Sequence, residues 1–212
     1  MSTICFCNLK GGVGKSTTCV HFIYWLSQIK KKNVAVIDAD GQSSTSNWLE
    51  VMQLKIPVYR ITDPDELADQ VPELEQDVNY LVIDNAGNLG DATRCTLLTA
   101  SLAVIPVTPS GLDMMSAASA VRMVKQIQKA RKGLPSAGIF INRAIKNTKL
   151  LKESQQLLTE IEGINIFKQV IYQKQMIADS FLQGSTVWQM KGVKDAAQDY
   201  DKLFREILRM DK

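Results

Sequence analysis

The sequence has 212 residues, 45% of them hydrophobic and 22% charged, which suits a folded chain and is too apolar for a disordered one. At about 150 residues per domain, a single domain over 1–212 is the default, and apolar runs such as Leu102 to Val107 fall far short of the roughly 20 residues that cross a membrane. The net charge of +3 conceals a segregation. Ile61 to Thr93 holds nine acidic residues and no Lys or Arg, whereas Arg122 to Lys152 holds nine basic residues and no Asp or Glu. A block of one sign suits a polyanion, with solvated helix faces as the plain alternative.

Along the chain, Thr3 to Asn8 reads as a strand, with no leader expected before it. A glycine-rich turn and a helix from Ser16 to Ile29 follow. In the turn, Lys10-Gly11-Gly12-Val13-Gly14-Lys15-Ser16-Thr17 can aim backbone N–H groups at phosphate oxygens. The helix adds its positive end, Lys15 can reach the β- and γ-phosphates, and Ser16 can ligate Mg²⁺. A strict phosphate-loop pattern needs glycine at position 9, where this chain has Leu9, and Lys10 is a second cation. That lysine is either solvated or reaches a nucleotide, its own or a facing subunit's.

A buried strand at Asn33 to Asp38 ends in Asp38-Ala39-Asp40-Gly41-Gln42, where aspartates at i and i+2 are expected to point the same way, toward the phosphates. One can hold Mg²⁺ through water while the other orients or deprotonates the attacking water. A strand at Val58 to Ile61 and an acidic helix at Pro64 to Gln70 come next. Tyr80 to Asp84 ends in Leu81-Val82-Ile83-Asp84, apolar residues followed by a carboxylate, with Gly87 placed to sense a γ-phosphate. Further strands are expected at Leu102 to Val107 and Ala137 to Asn142, and helices at Asp91 to Thr99, Leu112 to Arg131 and Thr148 to Ile161. Continuously apolar strands alternating with helices predict an α/β fold, a doubly wound and mostly parallel sheet with helices on both faces. Its functional loops belong at the carboxyl ends of the strands.

These motifs resemble the ParA/MinD group of deviant Walker ATPases. Ile105 to Asp113, Asp84 to Leu89 and Tyr172 to Gln175 are similar to the small plasmid-partition ATPases of the ParF type. The resemblance implies an ATP-sandwich homodimer with Mg²⁺, in which Lys10 is the signature lysine, Lys15 the main phosphate cation, Asp40 the water-orienting group and Asp84 the Walker B residue. It also implies non-specific DNA binding, and hydrolysis stimulated by a centromere-binding or cargo-adaptor partner of the ParB/ParG kind. Asn142 and Arg143, with Gln173 and Gln175, match the base-enclosing loops. Gly41 departs from the usual proline and loosens its loop, and no DNA-reading domain of the larger ParA proteins is expected before the first strand.

Arg122, Lys125 and Lys129, with Lys149 and Lys152 on the next helix, have the character of backbone-phosphate contacts. Met115, Ala118, Val121, Val124 and Ile127 are expected on the buried side of the first helix, and Leu150, Leu157, Leu158 and Ile161 on that of the second. The competing readings are a MinD-like membrane-associated regulator and an ATP-gated scaffold with negligible turnover. Near the C-terminus, Ala196, Ala197, Tyr200, Leu203, Phe204, Ile207 and Leu208 form an apolar stripe whose opposite face is charge-balanced, predicting core cover rather than lipid contact. Cys5, Cys7, Cys19 and Cys95 lack metal-site spacing, so an iron–sulfur relative fails on ligand count. They read as reduced thiols of a cytoplasmic, nucleoid-associated protein, and the single histidine, His21, reads as structural.

Overall fold

The computed structural model describes residues 1–88 and 90–211, so Leu89 of the Asp84 to Leu89 stretch lies outside the described residues. Seven strands form one sheet: β1 (Ser2–Phe6), β2 (Val34–Ala39), β3 (Val58–Arg60), β4 (Tyr80–Asn85), β5 (Leu102–Val107), β6 (Ser136–Ile141) and β7 (Asn165–Ile166). Their order is β3-β2-β4-β1-β5-β6-β7, and every pairing is parallel. All six residues of β2 and of β5 are buried, the continuous apolar pattern of a sheet covered on both faces.

The cover consists of α1 (Lys15–Tyr24), α2 (Ser44–Val51), α3 (Pro64–Leu74), α4 (Asp91–Thr99), α5 (Gly111–Ala130), α6 (Lys149–Thr159), α7 (Gln175–Asp179) and α8 (Lys194–Met210). Side chains of α3, α4, α5 and α6 share one core cluster, and those of α1, α2 and α8 share the other. α1 runs on into a π-helical stretch, Trp25–Ile29, where the Lys30 N–H reaches back to the Trp25 carbonyl at 2.8 Å. The helix expected to Ile29 is therefore wound, with a widened last turn.

The C-terminal stripe covers the core as predicted: Ala196, Tyr200, Leu203, Phe204 and Ile207 are all buried. Among the described residues no helix is long and apolar enough to cross a membrane. The stripe on α5 differs from expectation. Its buried side carries Ala117, Ala120, Val121, Val124 and Ile127, while Met115 is 70% exposed. A strict three-residue step drifts around a helix of 3.6 residues per turn, so Met115 and Ala118 rotate off the core. On α6 the buried residues are Leu151, Ser154 and Leu158, and Leu150 and Leu157 face outward.

Candidate functional site

The order of the sheet sets β1 between β4 and β5, and β4 beside β2. In the β2–β4 ladder Asp38 is the register partner of Asp84, so the two carboxylates, each one residue before the end of its strand, lie abreast at one edge. The glycine turn leaves β1 at the same edge and enters α1 through Gly14, which is left-handed at φ +90°. No side chain caps this helix, so the first-turn N–H groups remain open to an anion. Lys15 is buried and donates to the Lys10 carbonyl at 3.2 Å. Burial lowers its pKa, against the opposing pull of Asp84 and Asp40.

The loop and the start of α1 open onto a cleft of about 420 Å³ lined by Gly11, Gly12, Gly14, Lys15, Ser16 and Thr17, and also by Asp40 and Gly87. A Cβ on Gly87 would stand 3.1 Å from the Gly11 nitrogen, so this glycine packs directly on the loop backbone. Asn142, Arg143, Gln173 and Gln175, expected around a base, line the same cleft with Tyr172 and Lys174. Two of them also brace the loop. The Asn142 amide donates to the Val13 carbonyl at 2.8 Å, and the Arg143 guanidinium donates to the Gly12 carbonyl at 2.7 Å. Val13 itself is buried.

The two strand-end aspartates have different surroundings. Asp38 accepts from the Ser46 N–H at 2.7 Å, the Ser46 hydroxyl at 2.8 Å and the Asp40 N–H at 3.2 Å, so both its oxygens are engaged. It caps α2 from outside that helix, whose own N-cap residue, Ser43, makes no side-chain bond. The expectation that Asp38 and Asp40 share a direction is not met: β2 ends at Ala39, so Asp40 sits in the following turn, facing the cleft, beyond the alternation of the strand. Asp84 is fully buried, accepts from Thr45 at 2.7 Å through Oδ2, and leaves Oδ1 without a partner. Burial raises its pKa to about 7, with the Ser16 and Thr45 hydroxyls opposing the rise. An unpartnered, buried carboxylate oxygen beside a serine hydroxyl at a phosphate loop fits a hard divalent cation such as Mg²⁺.

Lys10 lies outside this cleft. Its ammonium pairs with Asp113, in the first turn of α5, and the Thr108 hydroxyl donates to the same carboxylate. Sequence reading found the glycine loop and both strand-end aspartates but missed α2, whose Thr45 and Ser46 hold them.

The model of the CobQ/CobB/MinD/ParA nucleotide binding domain matches residues 4–187. The chain belongs to this family. It is 22% identical to the maintenance of carboxysome distribution protein A of Halothiobacillus neapolitanus, covering 97% of this chain and 96% of that relative. With the chromosome-partitioning ATPase Soj of Treponema pallidum the identity is 24%, covering 99% and 98%. Among solved structures, apo McdA of Cyanothece aligns with a TM-score of 0.83 at 20% identity over 98% of this chain and 99% of that one. MinD of Pyrococcus horikoshii, complexed with Mg-ADP, aligns at 0.78 with 18% identity over 97% and 95%. These likenesses confirm the doubly wound fold of the ParA/MinD type.

Proposed function

We propose that this chain is a Mg²⁺-dependent ATPase of the partition and cargo-positioning kind, dimerising around ATP and binding duplex DNA without sequence preference. A partner protein stimulates its turnover. The observation that carries the nucleotide reading is the conjunction at one sheet edge of an uncapped helix start, the buried Lys15 and the spare oxygen of Asp84. Lys15 and the loop amides hold the phosphates, and Ser16 and Asp84 hold the cation, with Asp38 fixing α2 behind them. Mg²⁺, when bound, neutralises charge on the phosphoryl oxygens. Asp40, lining the cleft at the turn after β2, orients the attacking water.

The dimer reading is supported by the apolar rim beside Lys10. Ile145 and Leu150 line the cleft beside Lys10 and are exposed; Leu112 and Met115, which flank Asp113 in the first turns of α5, are exposed as well, and such apolar exposure suits a partner surface. Two relatives carry positioning or partition in their names, maintenance of carboxysome distribution protein A and chromosome-partitioning Soj, and the basic residues of α5 and α6 share one face of the sheet. The apolar stripe of α8 is buried against the sheet, which favours DNA over lipid as the surface this chain rides on.

The test is phosphate release from ATP with Mg²⁺, with and without duplex DNA, beside co-sedimentation with DNA and with anionic vesicles. Turnover that Lys15→Ala abolishes, and ATP-dependent pelleting with DNA, are expected. Pelleting with vesicles alone would replace the DNA reading with the membrane one, and a flat baseline in every condition would favour a scaffold.

A further inference from the structure

The first turn of α2 addresses both strand-end carboxylates at once. Ser46 makes two bonds to Asp38, and its neighbour Thr45 makes one to Asp84, 39 residues away. Thr45 and Asp84 are each fully buried, and the Thr45 hydroxyl is the donor closest in kind to a fixed clamp. Its χ1 is restricted by β-branching, and a hydrogen bond to a charged acceptor is among the stronger ones. The Thr45 bond to Oδ2 favours one orientation of the carboxylate, the one that leaves the unpartnered Oδ1 for another ligand. α2 also reaches the cleft through Ser44 and Trp48, so the clamp stands on an element that lines the nucleotide site.

We propose that Thr45 is the positioning residue of the magnesium site: its hydroxyl pins Asp84 Oδ2 so that Oδ1 is presented to the cation. This rests on the reading of Asp84 as a magnesium ligand. Thr45 does not touch the nucleotide or the ion and acts only through Asp84. Two consequences separate this role from simple packing. Removing the hydroxyl while keeping the shape weakens the contribution of Mg²⁺ to nucleotide binding and leaves the magnesium-free component, made by the loop and Lys15, as it was. Restoring a hydroxyl without the methyl group restores the magnesium contribution.

The experiment is titration calorimetry of ADP against the whole chain in Mg²⁺ and in EDTA, for wild type, Thr45→Val and Thr45→Ser. Thr45→Val is expected to reduce the magnesium-dependent gain in ADP affinity by about tenfold, the scale of one charge-assisted hydrogen bond, with EDTA affinity within about twofold of wild type. Thr45→Ser is expected to restore the gain. Should Thr45→Val not fold, Thr45→Ala, smaller and equally without a donor, carries the same comparison. Wild-type magnesium dependence in the variant without a donor overturns this inference alone, as does failure of Thr45→Ser to restore it. Absence of any Mg²⁺ effect in the wild-type chain overturns the reading of Asp84 as well.

Discussion

The Lys10 ammonium is paired with the Asp113 carboxylate, which binds a loop residue to the first turn of α5. Lys10 keeps about two-fifths of its side chain in solvent (43%) while Asp113 is nearly buried (9%), so the pair holds the lysine beside the apolar rim and away from the cleft. In the proposed ATP dimer, Lys10 exchanges Asp113 for a nucleotide. Asp113→Asn removes the competing charge, and it is expected to strengthen ATP-dependent self-association by about two- to fivefold, the scale of a half-exposed ion pair. Sedimentation velocity over a protein concentration series checks this. Association equal to wild type would mean that Lys10 does not contribute to the dimer.

Gly14 offers a sharper steric test. Its φ of +90° lies in the left-handed region, and a Cβ there would stand 2.2 Å from the Asn142 amide nitrogen. Gly14→Ala therefore strains the backbone and expels the brace under Val13, and ADP affinity is expected to fall by more than about a hundredfold. Asn142→Ala leaves the backbone alone and removes one buried donor, for an expected loss of about tenfold. Calorimetry with ADP ranks the two, and equal effects would show that the amide, not the turn, is what matters.

His21 joins the phosphate-loop helix to the C-terminal half. Its Nδ1–H donates to the Thr17 carbonyl at 2.7 Å, Nε2 accepts from the Val187 N–H at 3.3 Å, and the ring stacks on Tyr200 with centroids 4.7 Å apart. Burial lowers its pKa from 6.5 to about 4. A histidine held neutral in the fold contributes stability that is complete above the unfolded value near 6.5 and is lost as pH falls through the folded value near 4. The chain has one histidine, so its imidazole NMR signal is unambiguous. No titration is expected between pH 8 and about 5.5; a midpoint near 6.5 would mean that the ring is open to water.

The contrast between Asp84 and α2 shows what sequence could reveal of this site. Asp84 was legible because an apolar strand ending in a carboxylate behind a glycine loop has few other uses, and the parallel register then sets Asp38 beside it. Ser43, Ser44, Thr45, Ser46 and Asn47 carry no helical signal of their own, since serine, threonine and asparagine favour caps and loops over helix interiors. From Ser44 onward the chain is nonetheless helical, because Asp38 caps α2 from outside and because Trp48 and Leu49 bury themselves against the core. Neither condition is visible in the segment's own composition. β7, only two residues long, lay below any periodicity. On α5 the expected stripe is buried at Val121, Val124 and Ile127, but at its N-terminal end Ala117 and Ala120 take the buried side in place of Met115 and Ala118.

The basic block is not a uniform surface, and the structure divides it. Arg131 turns inward to donate to the Leu97 and Ala100 carbonyls at the end of α4, and Lys149 pairs with Glu153 at 3.3 Å. Arg122 and Lys129 are exposed, Lys125 is half-buried beside Gly163, and Lys152 is exposed on α6. Each phosphate neutralised contributes about 0.9 to the slope of log affinity against log salt. Reversing Arg122, Lys125 and Lys129 to glutamate is expected to flatten that slope by at least about 2 and to weaken DNA binding at every sequence alike. Reversing Lys149, already held by a carboxylate, is expected to change it by less than 1. Fluorescence anisotropy with a labelled duplex across a salt series, at saturating ATP, measures both. An unchanged slope in the triple variant would place the DNA surface on another part of the molecule, because none of these three side chains belongs to the buried stripe of Ala117, Ala120 and Val124 that packs α5 on the sheet.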